Sequence, residues 1–212
     1  MPSEEPLREA IETFVTRVRQ DLDVHGQSLA VELTASVREE LERAHAAFTR
    51  LLTAIRVLDA ASSLRGILEA LADGVRAEQT RSVLMLLEGE RLRVWRAVGY
   101  ADGEAPTEVT VAADTVLVGV VDGATAADVS PESAAAVQGF LRPDDGRLGR
   151  FVPLAVGGNV VAVLYCEGPG RDGDRAVRQA WAEPLEVMVR HAAARLENVT
   201  SIRTVEALTR PA

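Results

Sequence analysis

Arg142, Arg147 and Arg150 fall in one short segment together with Asp144 and Asp145. A guanidinium presents a planar fork of donors that matches carboxylate or phosphate oxygens two at a time, so this segment is a candidate mouth for an anionic ligand. Trp95, Tyr100 and Tyr165 can supply the apolar wall of such a pocket in a chain whose aromatic share is only 4%. A solvated charged loop and ordinary core packing account for the same residues, and both readings stay open. Cys166 is the one cysteine, which leaves no internal disulfide and no thiolate zinc cage. His25, His45 and His191 are well separated along predicted helices and read as surface or interface residues, so no metal is expected. The Gly-rich stretches GPGRDGD and DDGRLGR lack the Gly-Lys-Ser/Thr ending of a phosphate loop and read as turns. Asn198-Val199-Thr200 fits a glycosylation sequon by chance, since no secretory signal precedes it.

The elements that must position these residues follow from hydrophobic spacing. Leu7, Ile11, Phe14, Val18, Leu22, Leu29, Leu33, Val37, Leu41, Ala44 and Phe48 recur three and four apart, the stripe of a long helix. Many steps of eleven, such as Ile11, Leu22 and Leu33, predict a straight or slightly right-handed winding. Charged residues fill the opposite face, so the stripe calls for a second chain. Leu7, Ile11, Val18, Leu22, Leu29, Leu33 and Val37 are the expected homodimer interface. His25 and Gly26 interrupt it, where a kink and an unbroken helix are both open. Residues 1–46 are accordingly read as a coiled-coil dimerisation helix.

After Ala60, Ser62 and Ser63 can cap a second helix running to about Glu78. SVLMLLE (Ser82 to Glu88) and RLRVWRAV (Arg91 to Val98), split by Gly89-Glu90, read as a β-hairpin. Its second arm puts Leu92, Val94 and, out of phase, Trp95 near the core. EVTVA (Glu108 to Ala112) is a third strand, and Asp114 can cap a short helix to Gly123. Ala124 to Arg150 is rich in turn formers and is expected to be mobile, anchored by Phe140 and Leu141. RFVPLAVGGNVVAVLYCE, Arg150 to Glu167, carries the clearest β pattern, with Gly157-Gly158 or Gly158-Asn159 as the turn. Ala176 to Ala182 looks helical, and Pro184 suits the first turn of a last helix. This succession is an α+β arrangement.

Asp+Glu number 32 against Lys+Arg 23, a net charge of -9. Such a balance argues against a nucleic-acid surface, which needs basic groups to displace counterions. Every basic residue is arginine, a bias that a GC-rich genome explains as well as any function. No apolar run reaches the ~18 residues of a membrane span. The acidic start, Met1 to Pro6, resembles no signal peptide, and the reading is cytoplasmic.

The residues Val152, Pro153, Leu154, Gly157, Gly158, Val161, Ala162, Val163 and Leu164, with Leu84, Leu86, Leu92, Trp95, Ala97 and Gly99 in the first hairpin, resemble a GAF domain. The likeness covers about Ala47 to Asn198. Ala162 stands where the family usually has glycine, and the cyclic-nucleotide signature N-K-x-D-E does not occur. The resemblance implies a GAF-like antiparallel sheet flanked by helices over residues 47–200, with a pocket on one face roofed by the middle segment. It implies no particular cofactor, since such domains take cyclic nucleotides, tetrapyrroles, haem, amino acids or metal ions. In a GAF-like enzyme that reduces free methionine sulfoxide, several cysteines cooperate by exchange, and Cys166 has no second thiol to resolve it. A bilin site would place a Cys before a His in the middle segment, where this chain has neither. The chain is therefore expected to be no enzyme but a signal-sensing regulatory module. It would dimerise, bind a small molecule at Trp95, Tyr100, Arg142, Arg147, Arg150 or Tyr165, and act through a partner protein, because only a tail is expected over 201–212. A structural adaptor with a self-filled pocket is the alternative.

Overall fold

The computed structural model describes residues 5–78, 81–101, 103–129, 133, 137, 139–144, 146–168 and 181–209. The chain divides into two compact units, Met1–Thr49 and Arg50–Ala212, three residues beyond the boundary read at 46/47. The first unit is helical throughout its described residues. Helix α1, Glu5–Ala60, runs unbroken through Gly26, and a Cβ at that position would meet nothing within 4 Å. Its cost there is only the entropy of glycine, which one helix interior absorbs. Phe14, Leu22, Leu33 and Leu41 are each about two-thirds exposed, and Leu29 and Val37 nearly so. Among the described residues, nothing covers that stripe. The side chains of Leu7 and Ile11 lie outside the described residues.

In the second unit, the last turns of α1 are followed by α2, Leu64–Glu78, whose Gly66 N–H donates to Ser63 Oγ at 3.0 Å. The cap is the one the serines foretold. The hairpin forms as β1, Ser82–Glu88, and β2, Arg91–Val98. Strand β3 is Glu108–Thr110, shorter than EVTVA because Val111–Ala113 turns into a single 3-10 turn. Helix α3, Thr115–Gly123, starts at Asp114, whose carboxylate accepts from the N–H groups of Val116 and Leu117. Strand β4, Ala127–Val129, lies within the middle segment. Strands β5, Gly149–Val156, and β6, Asn159–Glu167, follow, turned by Gly157 and Gly158, both at positive φ as a two-residue loop demands. Helix α4, Glu183–Thr209, closes the unit. It takes in most of the expected tail at 201–212. The helix expected from Ala176 and the side chain of Asp145 lie outside the described residues.

All pairings in the six-stranded sheet are antiparallel, in the order β3-β2-β1-β6-β5-β4. The central strands β1 and β6 read as near-continuous apolar runs because both of their faces are covered. On one face, Leu84, Val152, Leu154, Ala162, Leu164 and Cys166 pack against α2, α4 and the end of α1. On the other, Val83, Met85, Phe151, Val163 and Tyr165 pack against Leu117 and Val120 of α3 and against Val129, Val137 and Leu141. Burying each such large side chain is worth roughly 1.5–3 kcal/mol. Leu141 is fully buried and Phe140 packs beside Tyr100, so both act as anchors. The slip of register between Leu84 and Met85 leaves Trp95 unpaired in β2. This bulge sends Trp95 and Arg96 to the helix face, Trp95 under Arg65 and Arg96 onto Asp73 at 2.9 Å.

Candidate functional site

Two arginine-centred sites stand at the same end of the sheet, on opposite faces. On the face roofed by α3, Arg81 immediately precedes β1. Its Nη1 donates to Glu167 Oε1 at 2.7 Å and to Asp144 Oδ1 at 2.9 Å, and its Nη2 donates to Glu104 Oε1 at 2.7 Å. The guanidinium lies 4.3 Å from the centre of the Tyr100 ring, a cation–π geometry. Tyr165 Oη reaches Glu167 Oε1 at 3.3 Å. Glu167 is 1% exposed, and its Oε2, like Tyr100 Oη, is buried without a hydrogen-bond partner among the described residues. Desolvation raises the Glu167 carboxyl above the ordinary carboxylate range, with Arg81 opposing and Asp144 adding to the lift. Burial likewise pushes both tyrosine hydroxyls up. Three carboxylates about one guanidinium make this node acidic.

On the helix face, Arg150 of β5 pairs with Asp128 of β4 and, through Nη2, with Glu186 Oε1 of α4 at 2.5 Å. Glu186 Oε2 also accepts from Arg190 at 3.3 Å. These groups border a cleft of about 610 Å³ between the outer edge of β5, helix α4 and the loop Ala124 to Ala126. Its volume falls in the range of small-molecule sites. Beyond the cleft, α4 grips the end of α1. Arg195 Nη2 donates to the carbonyls of Asp59 and Ala61 at 2.9 and 3.3 Å, and His191 Nε2 lies 2.9 Å from Asp59 Oδ1. A cation on the last carbonyls of a helix also satisfies its dipole.

The structure therefore distributes the six residues proposed from sequence. Tyr100 and Tyr165 meet at the Arg81 node, where Arg142 adds its carbonyl to Arg81 at 3.5 Å. Arg147 Nη1 donates to Gly168 O at 3.5 Å. Arg150 belongs to the cleft, and Trp95 packs on the helix face, apart from both tyrosines. Arg81, Glu104 and Glu167 were missed. The available signal was an acid closing the apolar run NVVAVLYCE and a base opening SVLMLLE, on strands that are neighbours. Cys166 is fully buried, and its thiol is pushed well up by desolvation, so little thiolate forms. Among the described residues no cluster of His, Cys, Asp and Glu is arranged to hold a metal ion, and no helix is long and apolar enough to cross a membrane.

No protein-family model and no curated protein matches the sequence. Solved structures do. The GAF domain/HD domain protein from Geobacter sulfurreducens superposes at a TM-score of 0.53 and 14% identity, over 66% of this chain and 95% of that one. The nlh2 GAF domain of A. aeolicus, in an inactive state, gives 0.52 and 13% over 74% and 96%. The fold is GAF-like. Free methionine-R-sulfoxide reductase from Neisseria meningitidis, in complex with its substrate, also matches, at 0.51 and 14% over 72% and 89%. This last neighbour corrects the expectation that the chain is no enzyme, because the same GAF-like scaffold spans almost all of a reductase. The lone cysteine excludes only dithiol exchange within one chain, and a fold leaves the chemistry of its side chains undecided. An enzymatic role is compatible with this architecture.

Proposed function

We propose that the chain is a signal-sensing regulatory module that dimerises through α1 and passes a ligand- or partner-induced change to a partner protein. The supporting observation is the double engagement of α4. One face of this helix carries Glu186, Arg190 and Glu197 into the cleft, while His191 and Arg195 hold the end of α1 at Asp59 and Ala61. A ligand that favours one placement of α4 would thereby bias α1. The exposed stripe from Phe14 to Leu41 supports a second copy of the chain as the cover of α1. Burying one such leucine contributes roughly 1.5–3 kcal/mol, so Leu22→Asp with Leu33→Asp should yield monomers in analytical ultracentrifugation at micromolar concentration. A wild type that sediments as a monomer would overturn the reading.

A structural adaptor is favoured by one different observation. The sheet face beneath α3 is filled by the chain's own Phe151, Tyr165, Met85 and Leu117, all fully buried. On that reading the fold serves docking alone.

A further inference from the structure

The cleft beside β5 has a shape and a charge order that select a ligand class. Strand β4 pairs with β5 only from Ala127↔Phe151 to Val129↔Gly149. Beyond it, Pro153 has no N–H to give a partner strand, and the register of β5 slips between Leu154 and Ala155. Ala124 takes up a left-handed conformation, with φ of 46°, and the preceding chain leaves the sheet as α3. Pro153 and Ala155 thus line an edge without a partner strand among the described residues, faced across the cleft by Ala193 and Ala194 of α4. The small side chains leave room for a backbone.

Charges are laid out along α4 in one direction. Glu186 lies against Arg150 near the start of β5. Arg190 follows one turn later, its side chain 81% exposed and, among the described residues, held by Glu186 at 3.3 Å. Glu197 lies two turns further along the same face and has no ion pair among the described residues. A step of seven helical positions leads from Arg190 to Glu197, about 10.5 Å along the axis, which roughly three extended residues also span. We propose that the cleft binds a short free peptide of about three residues, its carboxylate at Arg190 and its ammonium at Glu197, laid along the open edge of β5. This polarity is that of β4 itself. A peptide continuing β4 backwards runs antiparallel to β5, amino end towards Ala155 and carboxyl end towards Phe151, which is the order in which α4 presents acid and base. Arg150, already neutralised by Asp128 and Glu186, holds the floor. The inference rests on the reading of the chain as a ligand-responsive module and names the ligand of that module.

Isothermal titration of the full chain with L-trialanine bearing free termini tests it, against N-acetyl-trialanine with a free carboxylate, against N-acetyl-trialanine amide and against single alanine. Saturable binding of the free tripeptide is expected, with the doubly blocked peptide at least about tenfold weaker through loss of its charged hydrogen bonds. Alanine alone, too short to reach both charges, should not saturate. Glu197→Gln should abolish the preference for a free over an acetylated amino end, and Ala194→Trp should fill the cleft and remove binding. Circular dichroism of each variant confirms that it folds. No saturable binding, equal binding of the doubly blocked and free peptides, or a preference for the free over the acetylated amino end that survives Glu197→Gln would overturn the proposal. Dimeric protein without peptide binding rejects the peptide and leaves the dimer. A monomer that binds trialanine supports the peptide and rejects the dimer.

Discussion

Arg81 and Arg150 stand at one end of the same sheet, on opposite faces, and show how burial decides what a guanidinium does. Arg81 is 9% exposed and closed in by Glu167, Glu104, Asp144 and the Tyr100 ring. Its charge is spent on joining the start of β1, the loop after Tyr100 and the segment around Arg142. Arg150 meets two carboxylates as well, yet Asp128 is 65% exposed and the pair borders an open cleft. A low dielectric strengthens the contact of Arg81 with the sealed Glu167, and water screens the pair of Arg150 with Asp128. The first node is a fastener for the roof of the sheet. The second is a floor on which something else can be placed.

The sharpest way to break this contrast is Arg81→Met. Removing the guanidinium strands the buried Glu167, and chemical denaturation should show a loss of about 3–5 kcal/mol, as for other buried pairs left half-made. Arg81→Met combined with Glu167→Gln should recover part of that loss. A cost below about 1 kcal/mol, the level of a surface ion pair, would show the node to be no fastener.

Acidity sharpens the contrast further. Because desolvation holds the Glu167 carboxyl above its ordinary range, the folded chain binds that proton more tightly than the unfolded chain does. Between the ordinary carboxylate pKa near about 4.3 and the raised value, unfolding releases a proton, so this group's contribution to stability falls as pH rises. Denaturation midpoints of the wild type should gain on those of Glu167→Gln as pH is lowered through that window. Parallel profiles would remove Glu167 as the source.

The smallest effect is expected at the open site. Arg150→Met should cost clearly less than Arg81→Met in the same denaturation assay, because Asp128 is 65% exposed and neither partner of Arg150 is sealed as Glu167 is. A loss as large as that of Arg81→Met would make the two arginines equivalent and erase the distinction between fastener and floor.

Local signals were legible where a short stretch of chain decides the outcome. The hairpin boundaries at Ser82, Glu88, Arg91 and Val98 follow from two apolar runs and a Gly-Glu break, and Asp114 and Ser63 cap the helices their positions announced. Alternation in β2 predicted Trp95 out of phase but could not show which side it takes. That depends on the bulge opposite Leu84 and Met85, a property of two strands together. The candidate site was legible only in part for the same reason. Arg150 was singled out by its type and its place in the loop, while Arg81 and Glu167 are 86 residues apart and become one site only when β1 and β6 pair.

The sequence by itself determined the order of the elements apart from β4 and the end of α4, the helical stripe of α1 and the acidic balance, because spacing, turn chemistry and charge act over a few residues. Only the tertiary structure decided that Tyr100 and Tyr165 join Arg81 while Trp95 does not, that Cys166 is sealed, and that Pro153 and Ala155 of β5 line one cleft with Arg190 and Glu197 of α4. Strand pairing and burial bring distant residues into one dielectric, and no local pattern carries that information.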